Sequence, residues 1–382
     1  MNTTAIHALA RPEVAPLPAY NAGLSSEAVR ARYGVEEIAR LASNENPYGA
    51  SPAVARVLVD LAARAGTYPD AHCTALRAAI AERCGAQPAE LVIGNGSEDI
   101  LQMLCQAFLG SGDRVLTQRP AFGLHEIYPR MMGAQVELLA LTPELGFDIE
   151  AWCAALARGP KLVMLANPSN PVGCMFDTRD FERLLAAVPA GTLLVVDEAY
   201  YEYARLASGY PDVLARLRGE AVPFPWIVLR TFSKAWGLAG LRVGYGIASD
   251  AALVQLLDRV RTPFNVNLAA QAAALAAWGD EACMQAAVEQ TVRLRDTLAA
   301  QLRARHWPGL RIAPSAANFL FIDLGRPNGP VNEALLARGI IVKPWKEPGF
   351  ERFIRVSVGA PHELERFVAA MDAIMSRPAD TP

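Results

Sequence analysis

The chain has 382 residues, 52% of them apolar and 20% charged, with a formal net charge of −3. That composition suits a globular protein whose core needs no disulfide or metal staple, and it gives no general attraction to nucleic acid or to an anionic membrane surface. The six cysteines (Cys73, Cys84, Cys105, Cys153, Cys174 and Cys283) show no C-x-x-C pair and no ligand-like spacing, so they read as buried thiols in a reducing cytosol and no metal site is expected.

The N-terminal MNTTAIHALARPEVAPLPAY has no basic start followed by an apolar stretch, so no secretory signal is expected. Residues 1 to about 46 contain several Pro and Gly and no long periodic segment; they read as an arm lying over a larger body. From Ser51 helices and strands alternate. LVIGN (Leu91–Asn95) is a strand running into the helical stretch SEDILQMLCQAFL, where Ile100, Leu101, Leu104, Cys105 and Phe108 recur at helical spacing. Further strands are expected at Arg114–Thr117, Gln135–Leu141, Lys161–Ala166, Leu193–Asp197, Trp226–Thr231 and Val243–Ala248, with a helix over Ala251–Arg261. Apolar strands with little alternation point to a mainly parallel α/β sheet covered on both faces. After Pro263 come two Ala-rich helices, near Leu268–Ala277 and Glu281–Arg305, then the strands NFLFIDL, GIIVKPW and FIRVSV; a domain boundary is expected near Arg261–Pro263. The longest apolar runs, such as Thr192–Val196 and Ala269–Trp278, are too short to span a bilayer, and a cytoplasmic protein is expected.

Four segments at strand ends carry chemistry. TFSKAWGLAGLRVGY (Thr231–Tyr245) offers the hydroxyls of Thr231 and Ser233, the amine of Lys234 and the cation of Arg242. A lysine can form a Schiff base with an aldehyde, and an arginine can clamp a phosphate; taken alone, Lys234 reads first as a solvated loop lysine, a balance shifted by Gly237, Ala239 and Gly240, which let the chain turn tightly against a ligand. VVDEAYYEY (Val195–Tyr203) places Asp197 at a strand's C-terminal end, where open α/β sheets bind ligands, although a helix-capping aspartate has the same signature. ANPSNPVG (Ala166–Gly173) is a turn-rich or merely Pro-rich loop, and GNGSEDI (Gly94–Ile100) opens a helix whose free N–H groups suit a phosphate. An aldehyde cofactor with a phosphate and a ring nitrogen needs a lysine, a phosphate cup, an acid for the ring nitrogen and a donor to its phenolic oxygen. The four segments supply one of each.

On these motifs the chain resembles the fold-type I aminotransferases that use pyridoxal 5′-phosphate (PLP), and within them the histidinol-phosphate aminotransferase family. LASNENPYGASP, YPD (Tyr68–Asp70), GNGSEDI, NPSNPVG, DEAYYEY, FSKAWGLAGLR, ANFLF (Ala317–Phe321) and FIRVSVG (Phe353–Gly359) match that family's pattern in order, over about Tyr20 to Gly359. The resemblance implies an arm over residues 1–43 that belongs with the small domain, a large PLP-binding domain over 44–262 and a small C-terminal domain over 263–382. It implies that Lys234 is the Schiff-base lysine and the base that moves the Cα proton, and that Asp197 pairs with the ring nitrogen. Asn170 and Tyr200 would donate to the phenolic oxygen, and Phe122 would stack on the ring. Ser97, Glu98, Thr231, Ser233 and Arg242 would hold the phosphate, and Tyr68 would reach into the neighbouring site of a homodimer. Arg355, Lys343, Asn318, Asn46 and Tyr20 would serve the substrate.

Two positions depart from the family pattern. Lys343, in GIIVKPW, stands where an arginine is usual, and a lysine is a point donor where arginine is a planar fork. Leu124–His125 stands where Met–Tyr is common. The resemblance implies transamination between glutamate and imidazole-acetol phosphate in histidine biosynthesis, with an aromatic or other amino-acid aminotransferase as the alternative. A PLP decarboxylase of the same fold is a weaker match, because AWGLAGLR resembles the aminotransferases more. A PLP-binding domain of a transcription regulator would need a DNA-binding module, and none fits before Leu41.

Overall fold

A computed structural model of the chain describes residues 6, 8–18, 23–219 and 222–376. β1 (Ala39–Arg40) lies in the N-terminal arm. β2 (Leu91–Gly94), β3 (Arg114–Arg119), β4 (Gln135–Ala140), β5 (Leu162–Ala166), β6 (Leu193–Asp197), β7 (Trp226–Thr231) and β8 (Gly244–Ala248) form one sheet in the order β2-β8-β7-β6-β5-β3-β4. β3 to β7 are parallel; β8 alone runs against both of its neighbours, β7 and β2.

The strands read as unbroken apolar runs because both faces of the sheet are covered. Val163, Leu165, Leu194, Val196 and Val228 enter one core, and Leu162, Met164, Leu193, Val195, Ile227 and Leu229 enter the other. Successive side chains of a strand point to opposite faces, so two buried faces favour apolar residues at every position, and the buried exceptions such as Thr117 and Arg230 are hydrogen-bonded. Of the two edge strands, β2 stays buried and β4 alternates, with Gln135 and Glu137 exposed.

The second body is a four-stranded antiparallel sheet, β12-β13-β10-β9, built from β9 (Arg311–Ile312), β10 (Phe319–Asp323), β12 (Lys343–Pro344) and β13 (Phe353–Ser357). GIIVKPW does not form one strand. Its first part, β11 (Ile340–Ile341), pairs in parallel with β1, and its second, β12, turns away to pair with β13. The arm is thereby tied to the C-terminal part of the chain, with Ala39 and Leu41 in the same core as Leu320, Ile354 and Phe367.

The change of texture at Pro263 is not where the two cores part. In the helix Leu268–Trp278, Ala270, Ala273, Ala274 and Ala277 are buried in the core of the large sheet. Small side chains at this spacing let that helix pack closely against the neighbouring helix Pro52–Leu61, a matter of helix packing and not of domain membership. The next helix, Glu281–Arg303, bridges both cores: Met284 and Val288 enter the large one, and Leu298, Ala299 and Leu302 the small one. Among the described residues no helix is long and apolar enough to cross a membrane, and no cluster of three or more His, Cys, Asp or Glu could hold a metal ion.

Candidate active site

The C-terminal ends of β2, β3, β5, β6 and β7 open onto one cavity of about 690 Å³, roofed by Lys343, Trp345, Lys346, Glu347 and Arg355 from the small sheet and its connecting loop. A ligand of an open parallel sheet binds at this edge, because the loops leaving the strands converge there.

The cavity floor is an anion cradle. The helix Ser97–Phe108 starts without a side-chain cap, and Ser97 and Glu98 line the cavity, so the positive end of the helix faces it. Two glycines permit the approach. Gly96 has φ +87°, and a Cβ there would lie 2.6 Å from Arg242 Nη2. A Cβ on Gly244 would lie 2.3 Å from the backbone nitrogen of Ser97. Thr231 Oγ1 lies 3.0 Å from Ser233 Oγ, and Arg242 Nη1 lies 3.3 Å from that same Ser233 oxygen. Arg242 Nη2 sits 3.6 Å from the Glu98 carboxylate. Arg242 itself has φ +60°, a left-handed conformation that turns its side chain back toward the helix start.

Asp197 ends β6 and is buried. One of its oxygens accepts from Ala199 N at 3.1 Å, the aspartate-turn bond that a capping residue would make. The other lies 3.1 Å from Nε2 of the fully buried His125, whose Nδ1 has no hydrogen-bond partner among the described residues. The carboxylate thus serves the local turn and also presents a held negative charge to the cavity.

Lys234 follows β7. Its ammonium donates to the Ser43 carbonyl at 2.9 Å. Burial, and after it the Arg355 guanidinium, lower its pKa to about 7. A near-neutral amine is a nucleophile and a base, so the site suits covalent attack on a carbonyl. Arg355 on β13 donates to Asn170 Oδ1 at 2.7 Å and to the Ala42 carbonyl, and its guanidinium lies 5.4 Å over the Phe319 ring. With Oδ1 held, the Asn170 amide nitrogen is the end left for donation. Tyr200 Oη accepts from Asn44 Nδ2 at 2.9 Å. Phe122 lines the cavity and meets His125 edge-on at 5.8 Å. Lys343 is half-buried, and burial, then Arg355, then Lys346 push its pKa down.

Twelve of the residues singled out from the sequence line this cavity: Ser97, Glu98, Phe122, Asn170, Asp197, Tyr200, Thr231, Ser233, Lys234, Arg242, Lys343 and Arg355. Others do not. Asn318 is fully buried behind the wall and donates to the Asn44 carbonyl at 3.0 Å. Asn46 donates to the Ala235 carbonyl at 2.8 Å and lines a neighbouring cavity of about 250 Å³. Tyr68 is 81% exposed, stacked on Phe264 at 4.6 Å. Tyr20 lies outside the described residues.

Sequence reasoning passed over Asn44. Its amide donates to Tyr200, its Oδ1 accepts from Ser357 Oγ at 2.8 Å, its N–H donates to that same hydroxyl and its carbonyl accepts from Asn318. Its φ of +56° belongs to the left-handed region, which asparagine tolerates better than most residues, and an asparagine in SNEN was the available signal.

A family model for aminotransferase class I and II matches residues 36–374. The chain belongs to the aminotransferase class I and II family. The chain is 45% identical over 364 residues to a protein named histidinol-phosphate aminotransferase 3 from Rhizobium meliloti (strain 1021), covering 95% of this aminotransferase and 97% of that protein. It is 44% identical over 370 residues to histidinol-phosphate aminotransferase 1 of Mesorhizobium japonicum, covering 96% and 98%. The crystal structure of a histidinol-phosphate aminotransferase from Sinorhizobium meliloti, in complex with pyridoxal-5′-phosphate, superposes with a TM-score of 0.85 at 28% identity, over 96% of this chain and 97% of that one. As a member of its class this aminotransferase is a PLP enzyme, and its donor set fits the cofactor. The floor can take a dianionic phosphate, Asp197 a ring nitrogen, Lys234 an aldehyde, and Asn170 with Tyr200 a phenolic oxygen.

Proposed function

We propose that this aminotransferase exchanges the amino group between glutamate and imidazole-acetol phosphate, a step of histidine biosynthesis in the cytoplasm. The observation that carries the reading is the arrangement of cations in one cavity. The Arg242 cradle lies on the floor for the cofactor, and a second cationic wall, Lys343 with Arg355, lies in the roof for the substrate. The names of the relatives at 45% and 44% identity support the same substrate.

When bound, the cofactor supplies an aldehyde for the lysine and an electron sink for the substrate's Cα electrons. The protein does the rest. Ser97, Glu98, Thr231, Ser233 and Arg242 hold the phosphate, and Phe122 packs against the ring. Asp197, held by Ala199 N and His125, keeps a negative charge at the ring nitrogen. Lys234 would take the proton from the substrate's Cα and could give it back; a pKa near neutrality would let one amine act as base and then as acid. Asn170 and Tyr200 donate to the phenolic oxygen, each set in place by a neighbour, Arg355 and Asn44. Arg355 takes a carboxylate in one half-reaction and a phosphate in the other, since its planar fork fits both.

The same reading makes the functional unit a homodimer in which Tyr68, exposed at the surface of one subunit, completes the site of the other. Two-fold dimers are the commonest closed assembly, and an exposed stacked pair of aromatic rings, Tyr68 on Phe264, is an economical interface anchor.

Half-reaction assays with glutamate and a panel of oxo acids, with and without phosphate, test the substrate. Lys343→Met should raise the apparent constant of the phosphorylated substrate about tenfold, the equivalent of one charge-assisted hydrogen bond. The effect on glutamate should be smaller. Equal losses in both half-reactions would reject a phosphate role for Lys343, and a wild type indifferent to phosphate yet fast on phenylpyruvate would make this an aromatic aminotransferase.

A further inference from the structure

The loop between β12 and β13 places a second lysine in the cavity roof. Lys346 follows Lys343 by three residues, and both side chains line the cavity. They sense each other's charge, since Lys346 contributes to the lowered pKa of Lys343. The acid in this stretch of the roof is the adjacent Glu347, which would cancel much of the lysine charge if it faced the cavity unpaired. Its carboxylate, which also lines the cavity, is paired: it lies 3.7 Å from Nε of Arg119, the last residue of β3, and Arg119 Nη2 donates to the Pro348 carbonyl at 3.5 Å. The Glu347 charge is offset by Arg119, which ties the loop to the end of β3.

We propose that Lys346 is a specificity-determining residue which, with Lys343, selects a dianionic phosphate ester over a monoanionic group, and that Arg119 is a positioning residue that keeps Glu347 from cancelling this wall. The inference rests on the reading of a phosphate-bearing substrate and deepens it, because it assigns the charge state as the recognised feature. Coulomb attraction scales with the product of the charges, so two cations discriminate between a double and a single negative charge on groups of the same shape. Lys346 is exposed, so its share is modest and falls as salt screens it.

A pair of esters separates charge from size: the phosphorylated keto substrate and its sulfate ester, nearly isosteric and differing by one charge. Wild-type holoenzyme should prefer the phosphate ester in kcat/KM, with a preference that declines toward high salt. Lys346→Met should reduce the preference about three- to fivefold, the scale of one exposed ion pair, while Lys346→Arg should retain it. Arg119→Gln should reduce it too, and adding Glu347→Gln to that variant should restore it; a purely structural role for Arg119 would not be rescued by removing a second side chain. A Lys346→Met enzyme with the wild-type phosphate-to-sulfate ratio overturns the inference alone. A wild type that accepts the dephosphorylated substrate equally well overturns the functional reading and this inference together.

Discussion

At the scale of single residues, Lys234 concentrates the chemistry. Burial and Arg355 hold its pKa near 7. Its value in an unfolded chain is about 10.4. A cation that the fold disfavours costs nothing above about pH 10.4; the cost grows as the pH falls toward 7 and levels off below, where the lysine is charged in both states. In cofactor-free protein Lys234→Met should therefore gain stability over wild type, with the gain widening from about pH 10 to about pH 7 and flat beneath. Urea midpoints across that range would show it, and a pH-independent difference would contradict the lowered pKa. In the holoenzyme Lys234→Ala should lose turnover by several orders of magnitude, because the covalent and proton-transfer roles vanish together. Borohydride reduction followed by peptide mapping should place the cofactor adduct on this lysine and no other. Asp197→Asn should leave the fold intact, since an amide can keep the bond from Ala199 N. It should cut the rate by about 10² or more, because an uncharged group no longer stabilises a positive ring nitrogen. Near-normal turnover would reduce Asp197 to its turn and its contact with His125.

At the scale of elements, the junction between β2 and the helix Ser97–Phe108 carries the cofactor's phosphate in the proposed reading. Gly96→Ala would force a Cβ to within 2.6 Å of Arg242 at a φ of +87°. Arg242 would have to withdraw from Ser233 and Glu98. Cofactor affinity should fall about tenfold, the equivalent of one charge-assisted contact, with circular dichroism unchanged. Unchanged affinity would mean that Arg242 does not belong to the cradle. The strands of the large sheet were legible because a strand buried on both faces is mostly apolar, as residues 193–196 are before Asp197 at the strand end. GIIVKPW was misread as one strand for the matching reason: an apolar run reports burial, and which partner each half pairs with, β1 or β13, depends on chain segments far apart in sequence.

At the scale of the whole molecule, the proposed dimer makes the site a shared one. Mixing Tyr68→Ala with Lys234→Ala subunits, each inactive alone, should produce hybrid dimers in which one site has both residues intact, so part of the activity returns. No recovery after confirmed subunit exchange would mean that Tyr68 serves its own subunit or none. The sequence by itself determined the aminotransferase frame and the residues at the strand ends, because that chemistry needs particular side chains in motifs anchored to local turns. TFSKAWGLAGLR, DEAYYEY and GNGSEDI each place their functional groups within one strand-to-loop segment. What tertiary structure alone decided are the contacts made between segments. The hold of His125 on Asp197 spans 72 residues, that of Asn44 on Tyr200 spans 156, and that of Arg355 on Asn170 spans 185. The roof that brings Lys343, Lys346 and Glu347 over the sheet edge is of the same kind. Such pairings leave no periodicity or spacing in the chain, since each side chain is matched to a neighbour that only tertiary folding brings near.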